Sequence, residues 1–115
     1  MEIIKSSKDI ENVFKSGKRI HTKAITFIIV TKQQDDRASV SCGRVAFIAG
    51  KRLGNAVWRN SAKRRMREIN RALGNKWEGK DIIFLAKKKI LSLPFEFVVE
   101  QSRQAIKEID TNFSS

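Results

Sequence analysis

In SSKDIENVFKSG, residues 6–17, Ile10, Val13 and Phe14 recur at helical spacing, Ser6 or Ser7 offers an N-cap, and Gly17 ends the run. This predicts a short amphipathic helix. From Lys18 the period changes. KRIHTKAITFIIVTK is rich in Ile, Thr, Val and Phe between basic residues, which reads as two strand segments broken near residues 21–23. The polar QQDDRAS reads as a turn, and GRVAFIAG, an apolar run between glycines, as a further strand. Together these predict a hairpin-like antiparallel sheet. A second helix is expected from about Ala56 to Leu73, ended by Gly74 and Asn75, with DIIFLA as the strand after it. Pro94 opens a last helix in which Phe95, Val98, Val99, Ser102, Ala105, Ile106 and Ile109 keep helical spacing, and TNFSS is expected to fray. The order is αβββαβα, an α+β single domain over residues 1–115, without internal repeat or linker.

The second helix carries two patterns at once. At ~100° per residue, Trp58, Ala62, Met66, Ile69 and Leu73 share an arc of ~80° that suits packing on a sheet. Arg59, Lys63 and Arg67 line up beside that arc, and Asn60, Arg64 and Arg71 occupy the next. Like charges four residues apart cost an isolated helix ~0.2–0.5 kcal/mol per pair, and Glu68 is the only local acid. Such a face makes physical sense when an external polyanion supplies the counter-charge, with arginine forks matching phosphate oxygens. Just upstream, GKRLGN adds Lys51 and Arg52, glycines suited to tight turns, and Asn55 as an N-cap. The helix N-terminus itself favours an anion. From Lys51 to Arg71 stand eight of the chain's 24 Lys and Arg. Most charge runs are solvated helix faces, but this one is dense enough to read as a nucleic-acid surface.

Composition agrees. The 115 residues fit one core, and a net charge of +12 with 41% apolar residues describes a folded, polyanion-seeking protein. Cys42 is the only cysteine, so the chain can form no internal disulfide, which suits a reducing cytosol. The N-terminus shows neither a signal-peptide core nor a membrane span, so a cytoplasmic protein is expected. His21, the lone histidine, reads as a surface or hydrogen-bonding residue. The acids Asp9, Glu11, Asp35, Asp36, Glu68, Glu78 and Asp81 show no metal-ligand spacing, so no catalytic or metal-binding residue is assigned. Trp58 lies on the apolar arc and reads as core; Trp77, in the polar GNKWEGKD, stays open.

GNAVWRNSAKRRMRE resembles the arginine-rich signature helix of the bacterial ribonuclease P protein subunit, with Arg59, Asn60, Lys63, Arg64, Arg67 and Glu68 in place. DIENVFKSG and DIIFLAKK sit where that family has its first helix and the strand after its signature helix. The resemblance implies a mixed four-stranded sheet of the ribosomal-protein-S5-domain-2-like kind. It also implies a left-handed βαβ crossover, against the general right-handed rule. It further implies an accessory protein, monomeric apart from its RNA, that assists Mg2+-dependent cleavage of precursor tRNA by a catalytic RNA. The Mg2+ would be held by that RNA and the substrate. Lys51, Arg52, Arg59, Asn60, Lys63, Arg64, Arg67 and Arg71 would bind the RNA subunit. The 5′ leader of precursor tRNA would lie in a cleft between the first helix and the sheet, against Phe14, Lys15, Lys18, Arg19 and Lys23, as cations and aromatics hold single strands. Phe14 equally fits core packing, since it shares a stripe with Ile10 and Val13. Ile10, Ile25 and Ile28 stand where the family often has aromatics.

Other readings remain open to test. A non-catalytic ribosomal or RNA-chaperone protein of similar fold would have the same charge. A protein-only nuclease would need an acid or histidine cluster. A DNA-reading helix would carry base-reading side chains rather than a face of Arg and Lys.

Overall fold

Phe27 and Phe84 meet edge to face at the middle of the sheet, ring centroids 4.9 Å apart, and Phe47 joins Phe84 at 5.2 Å. The computed structural model describes residues 2–31, 43–74 and 77–113. In chain order the elements are β1 (Glu2–Ile3), α1 (Ser7–Ser16), β2 (Lys18–His21), β3 (Ile25–Thr31), β4 (Arg44–Ile48), α2 (Ala56–Leu73) and β5 (Lys80–Ala86). A 3-10 turn (Lys88–Leu91) and α3 (Phe95–Phe113) complete it. The sheet order is β1-β4-β5-β3-β2, with β1, β4 and β5 parallel and β3 antiparallel to both β5 and β2. The αβββαβα order matches the sequence reading, and the mixed four-stranded core matches what the family resemblance implies. The two-residue β1, too short to show any period, adds a partial fifth strand on β4.

One expectation is corrected. β4 does not form a hairpin with β3; β5 lies between them, paired along seven residues with β3 and along five with β4. The pattern already hints at this, because Val45 and Ala46 are both buried although they face opposite sides of the sheet. Alternation shows that a strand is covered on both faces but not which strand adjoins it. The turn expected in QQDDRAS, and Cys42, lie outside the described residues. Fraying is expected of TNFSS, but α3 runs to Phe113; Ser114 and Ser115 lie outside the described residues.

The sheet separates two cores. On one face α2 and α3 bury Ile25, Phe27, Val45, Ile82 and Phe84 against Ala62, Met66, Ile69, Val98 and Ile106. On the other, α1 covers Ile28, Ala46 and Ile83 with Val13, and Ile4 lies beside it. Ile10, Phe14, Ile48 and Leu85 sit half-buried around that smaller cluster. Trp77 also belongs to the core. It is 2% exposed, stands 6.1 Å edge-on to Phe84, and its Nε1–H donates to Asn70 Oδ1 at 2.9 Å. Polar neighbours in sequence concealed a tryptophan whose single polar atom is satisfied inside.

Candidate nucleic-acid interface

The α2 helix begins and ends as its sequence dictates. Asn55 Oδ1 accepts from Trp58 N–H at 2.9 Å, and Gly74 takes the left-handed conformation at φ 64° that closes the last turn. Trp58 lies over Gly54, where an added Cβ would come within 2.8 Å of the indole, so glycine lets the incoming chain pass under the ring. The first turn of α2 carries no acid. Its exposed N-terminus therefore keeps its partial positive charge beside exposed Lys51 and Arg52, in the turn that Leu53 N–H closes on Gly50 O.

Ala62, Met66 and Ile69 have no exposed surface, so the register of the cationic side is fixed by the core beneath it. Arg59 and Lys63 are half-buried along the flank, whereas Asn60, Arg64, Arg67 and Arg71 are exposed. Arg67 lies over the Phe47 ring at 5.8 Å, which aims the guanidinium across the end of β4. Arg59 Nε is shielded from water without a hydrogen-bond partner among the described residues. Among the described residues Arg71 pairs with Glu68, at 3.7 Å between largely exposed side chains, a contact worth little. The cationic row is thus held in place by packing and is little neutralised by acids.

Arg65 is different. It falls on the opposite flank of the apolar arc, donates to Leu93 O at 3.1 Å and stacks on Phe95 at 5.7 Å. It fastens α2 to the start of α3. Helical spacing alone separates it from the outward row, but its partners could not be read from the sequence.

The second group of expected residues lies around α1 and β2. Phe14 is half-buried against the α1-side core, and the Arg19 guanidinium stands 5.7 Å over its ring. Phe14 therefore packs and presents a ring at once. Lys15, Lys18 and Lys23 are exposed, but Lys23 stands apart in the β2–β3 turn, its ammonium 5.6 Å over the Phe97 ring. Ile28 faces α1, whereas Ile25 belongs to the opposite core, so Ile25 cannot stand in for a cleft aromatic. His21 is exposed and pairs its Nδ1 with Thr26 Oγ1 at 3.2 Å across the hairpin.

Sequence reasoning missed what anchors α1. Arg44 on β4 donates through Nε and Nη2 to Asp81 at 3.1 and 2.7 Å, and through Nη1 to Asp9 of α1 at 3.0 Å. The Asp81 hydrogen bonds, more than the burial that opposes them, hold the Arg44 proton well above its ordinary range, and Asp9 adds to the effect. Nothing in residue spacing links partners so far apart in the chain. Among the described residues no three His, Cys, Asp or Glu side chains gather as a metal site, and Asp9 and Asp81 are already committed to a guanidinium. No described helix is long and apolar enough to cross a membrane.

Similarity to known proteins follows the same outline. The family described as Ribonuclease P matches residues 1–110. The ribonuclease P protein component of Streptococcus pyogenes serotype M5 (strain Manfredo) is 30% identical over 104 residues, covering 90% of this chain and 82% of that one. The RNase P protein of Staphylococcus aureus superposes with a TM-score of 0.74 at 23% identity, covering 95% of each chain. That of Thermotoga maritima gives 0.71 at 23%, covering 94% of this chain and 97% of its own. The family match spans the strand, basic helix and strand described above, and the chain belongs to the ribonuclease P protein family.

Proposed function

We propose that the two basic surfaces divide the work of an accessory protein that acts with a catalytic RNA on precursor tRNA. Lys51, Arg52, Arg59, Asn60, Lys63, Arg64, Arg67 and Arg71 bind the RNA subunit. Phe14, Lys15, Lys18, Arg19 and Lys23 hold the 5′ leader. The observation that carries this reading is the row of Arg and Lys along α2, fixed by a buried stripe and, among the described residues, met by the acid Glu68. A surface of that kind contacts phosphates without reading bases.

Mechanistically the protein contributes charge and position. Two RNAs brought together repel, and releasing their counterions to a fixed cationic surface lowers that cost. Holding the leader beside Phe14 and Arg19 orients the scissile region toward the RNA subunit. Mg2+, on which the RNA catalysis of this family depends, is assigned to the RNA and its substrate. In this reading no chemical step is routed through a protein side chain. The protein works as one RNA-binding unit, monomeric apart from its RNA, in the cytoplasm.

The test is 5′ processing of a precursor tRNA at low Mg2+ by protein alone, RNA subunit alone and both together. Activity mainly in the mixture is expected. Cleavage by protein alone would overturn the assignment of chemistry to the RNA, and no stimulation would favour a structural RNA-binding role.

A further inference from the structure

Among the described residues Phe97 is the one aromatic left in the open. It is 40% exposed in the first turn of α3, although its neighbours Val98 and Val99 are buried. Its ring is covered instead by the Lys23 ammonium, 5.6 Å from the centroid. The turn that presents Lys23 is braced rather than loose. Thr22 Oγ1 donates to Ile25 O at 2.7 Å, Ile25 N–H donates to Thr22 Oγ1 at 3.0 Å, and Lys87 Nζ donates to Thr22 O at 2.6 Å. Lys87 N–H also donates to Ala24 O at 2.9 Å, which brings exposed Lys88 and Lys89 to the same end of the sheet. On the outer side of α3 the Phe97 ring gains little from packing, and it lies under a cation, the pairing that also marks Phe14.

The construction repeats that of Phe14 under Arg19 at 5.7 Å. Their cations are four residues apart along β2 and its turn, with Cα atoms at most ~14 Å apart. Phe14 lies on the α1 side of the sheet and Phe97 on the α3 side, so a single strand that meets both passes around the β2 edge. We propose that Phe97, with Lys23, is a second stacking station for single-stranded RNA, taking an unpaired base of the 5′ leader beyond the one that meets Phe14. Without RNA, Lys23 rests on the ring. With RNA bound, the base takes the ring and the ammonium turns to the adjoining phosphate, a sequence-tolerant contact. The inference rests on the leader-binding reading above and extends it to a residue outside the cleft.

The experiment compares holoenzymes reconstituted with wild-type, Phe97→Ala, Phe97→Leu and Phe97→Trp proteins on precursor tRNAs whose leaders are trimmed stepwise from the 5′ end. Phe97→Ala and Phe97→Leu should raise the KM for long leaders relative to fully trimmed ones by about fivefold, and Phe97→Trp should restore the wild-type ratio. A Phe97→Leu protein that behaves as wild type, or a loss that persists on fully trimmed leaders, would mean that the ring serves packing and would overturn the proposal. Phe14→Leu in parallel separates the two readings. If its effect depends on the leader while that of the Phe97 variants does not, the second station falls alone; if neither depends on the leader, both readings fall. A photoreactive phenylalanine analogue at position 97 should form its adduct on a leader nucleotide, and an adduct only on the RNA subunit would equally overturn the assignment.

Discussion

The outer side of α2 and the surface around α1 and β2 are both strongly basic, yet they are built differently. Along α2 the cations stand in a row over a core with no exposed atoms at Ala62, Met66 and Ile69, and Arg67 lies over a core ring, Phe47. Around β2 cations instead stand over rings, Arg19 over Phe14 on the α1 side of the sheet and Lys23, in the β2–β3 turn, over Phe97 at the start of α3. The first surface offers charge at fixed positions, which suits the backbone of a folded RNA. The second adds flat apolar faces, which suits unpaired bases. Two basic surfaces can therefore differ in the form of RNA they suit.

The two surfaces also differ in how they are secured, and the largest predicted effect exploits that. The α1 side rests on a small core and the Arg44 ion pairs, so Arg44→Met should lower stability by about 3 kcal/mol. This is the low end for breaking a buried pair, because 24% of the Arg44 side chain still meets water. Denaturant melts of the free protein would measure it, and a near-neutral result would show that packing alone holds α1. The Arg44 contribution is fully present below the ordinary arginine pKa, because folding raises that pKa, and it fades only as pH climbs through the folded value. A melt series across neutral pH should leave it intact.

Replacing Arg59, Lys63 and Arg67 together with glutamine attacks the other surface. RNA-subunit affinity should fall on the order of a hundredfold near physiological salt, and the salt slope should flatten by roughly 0.7–0.9 for each phosphate that the helix no longer neutralises. Leader discrimination per bound complex should survive. Titrations at several salt concentrations decide the matter, and an unchanged slope would remove α2 from the interface.

The two surfaces were unequally legible in the sequence. The α2 surface could be read almost completely, because both its apolar stripe and its charged row obey the helical period, and Asn55 and Gly74 mark its ends. The bounds Ala56–Leu73 emerged as expected. The α1 surface was legible only in its elements. Its anchor joins three residues from α1, β4 and β5, and β5 reaches its place between β3 and β4 by a crossover that no local pattern encodes. Trp77 was hidden for the same reason: its partner Asn70 lies on the flank of α2, among residues that read as solvent-facing. Local periodicity reports which face is buried, whereas long-range polar pairs depend on topology.

Asn70→Ala sharpens the contrast within α2 itself. It removes the acceptor of the buried Trp77 Nε1–H and should cost ~1–2 kcal/mol in the melt. Because it takes no charge from the cationic row, the salt slope for RNA-subunit binding should not change. A flattened slope would mean that the row depends on this buried hydrogen bond for its position.

The smallest effect expected is that of Phe14→Leu, and it bears most directly on the difference between the surfaces. Phe14 is half-buried with Ile10 against the α1-side core, so leucine keeps most of its apolar packing while removing the ring that Arg19 covers. If the ring serves packing alone, the melt shifts slightly and cleavage of leader-bearing and leader-trimmed precursors changes alike. If it stacks on RNA, stability stays within ~0.5–1 kcal/mol of wild type, the worth of an exposed cation–π interaction, while the KM for leader-bearing precursor alone rises about fivefold. The leader-dependent outcome is expected, because Phe14 is only half-buried and Arg19, the cation over its ring, is itself exposed.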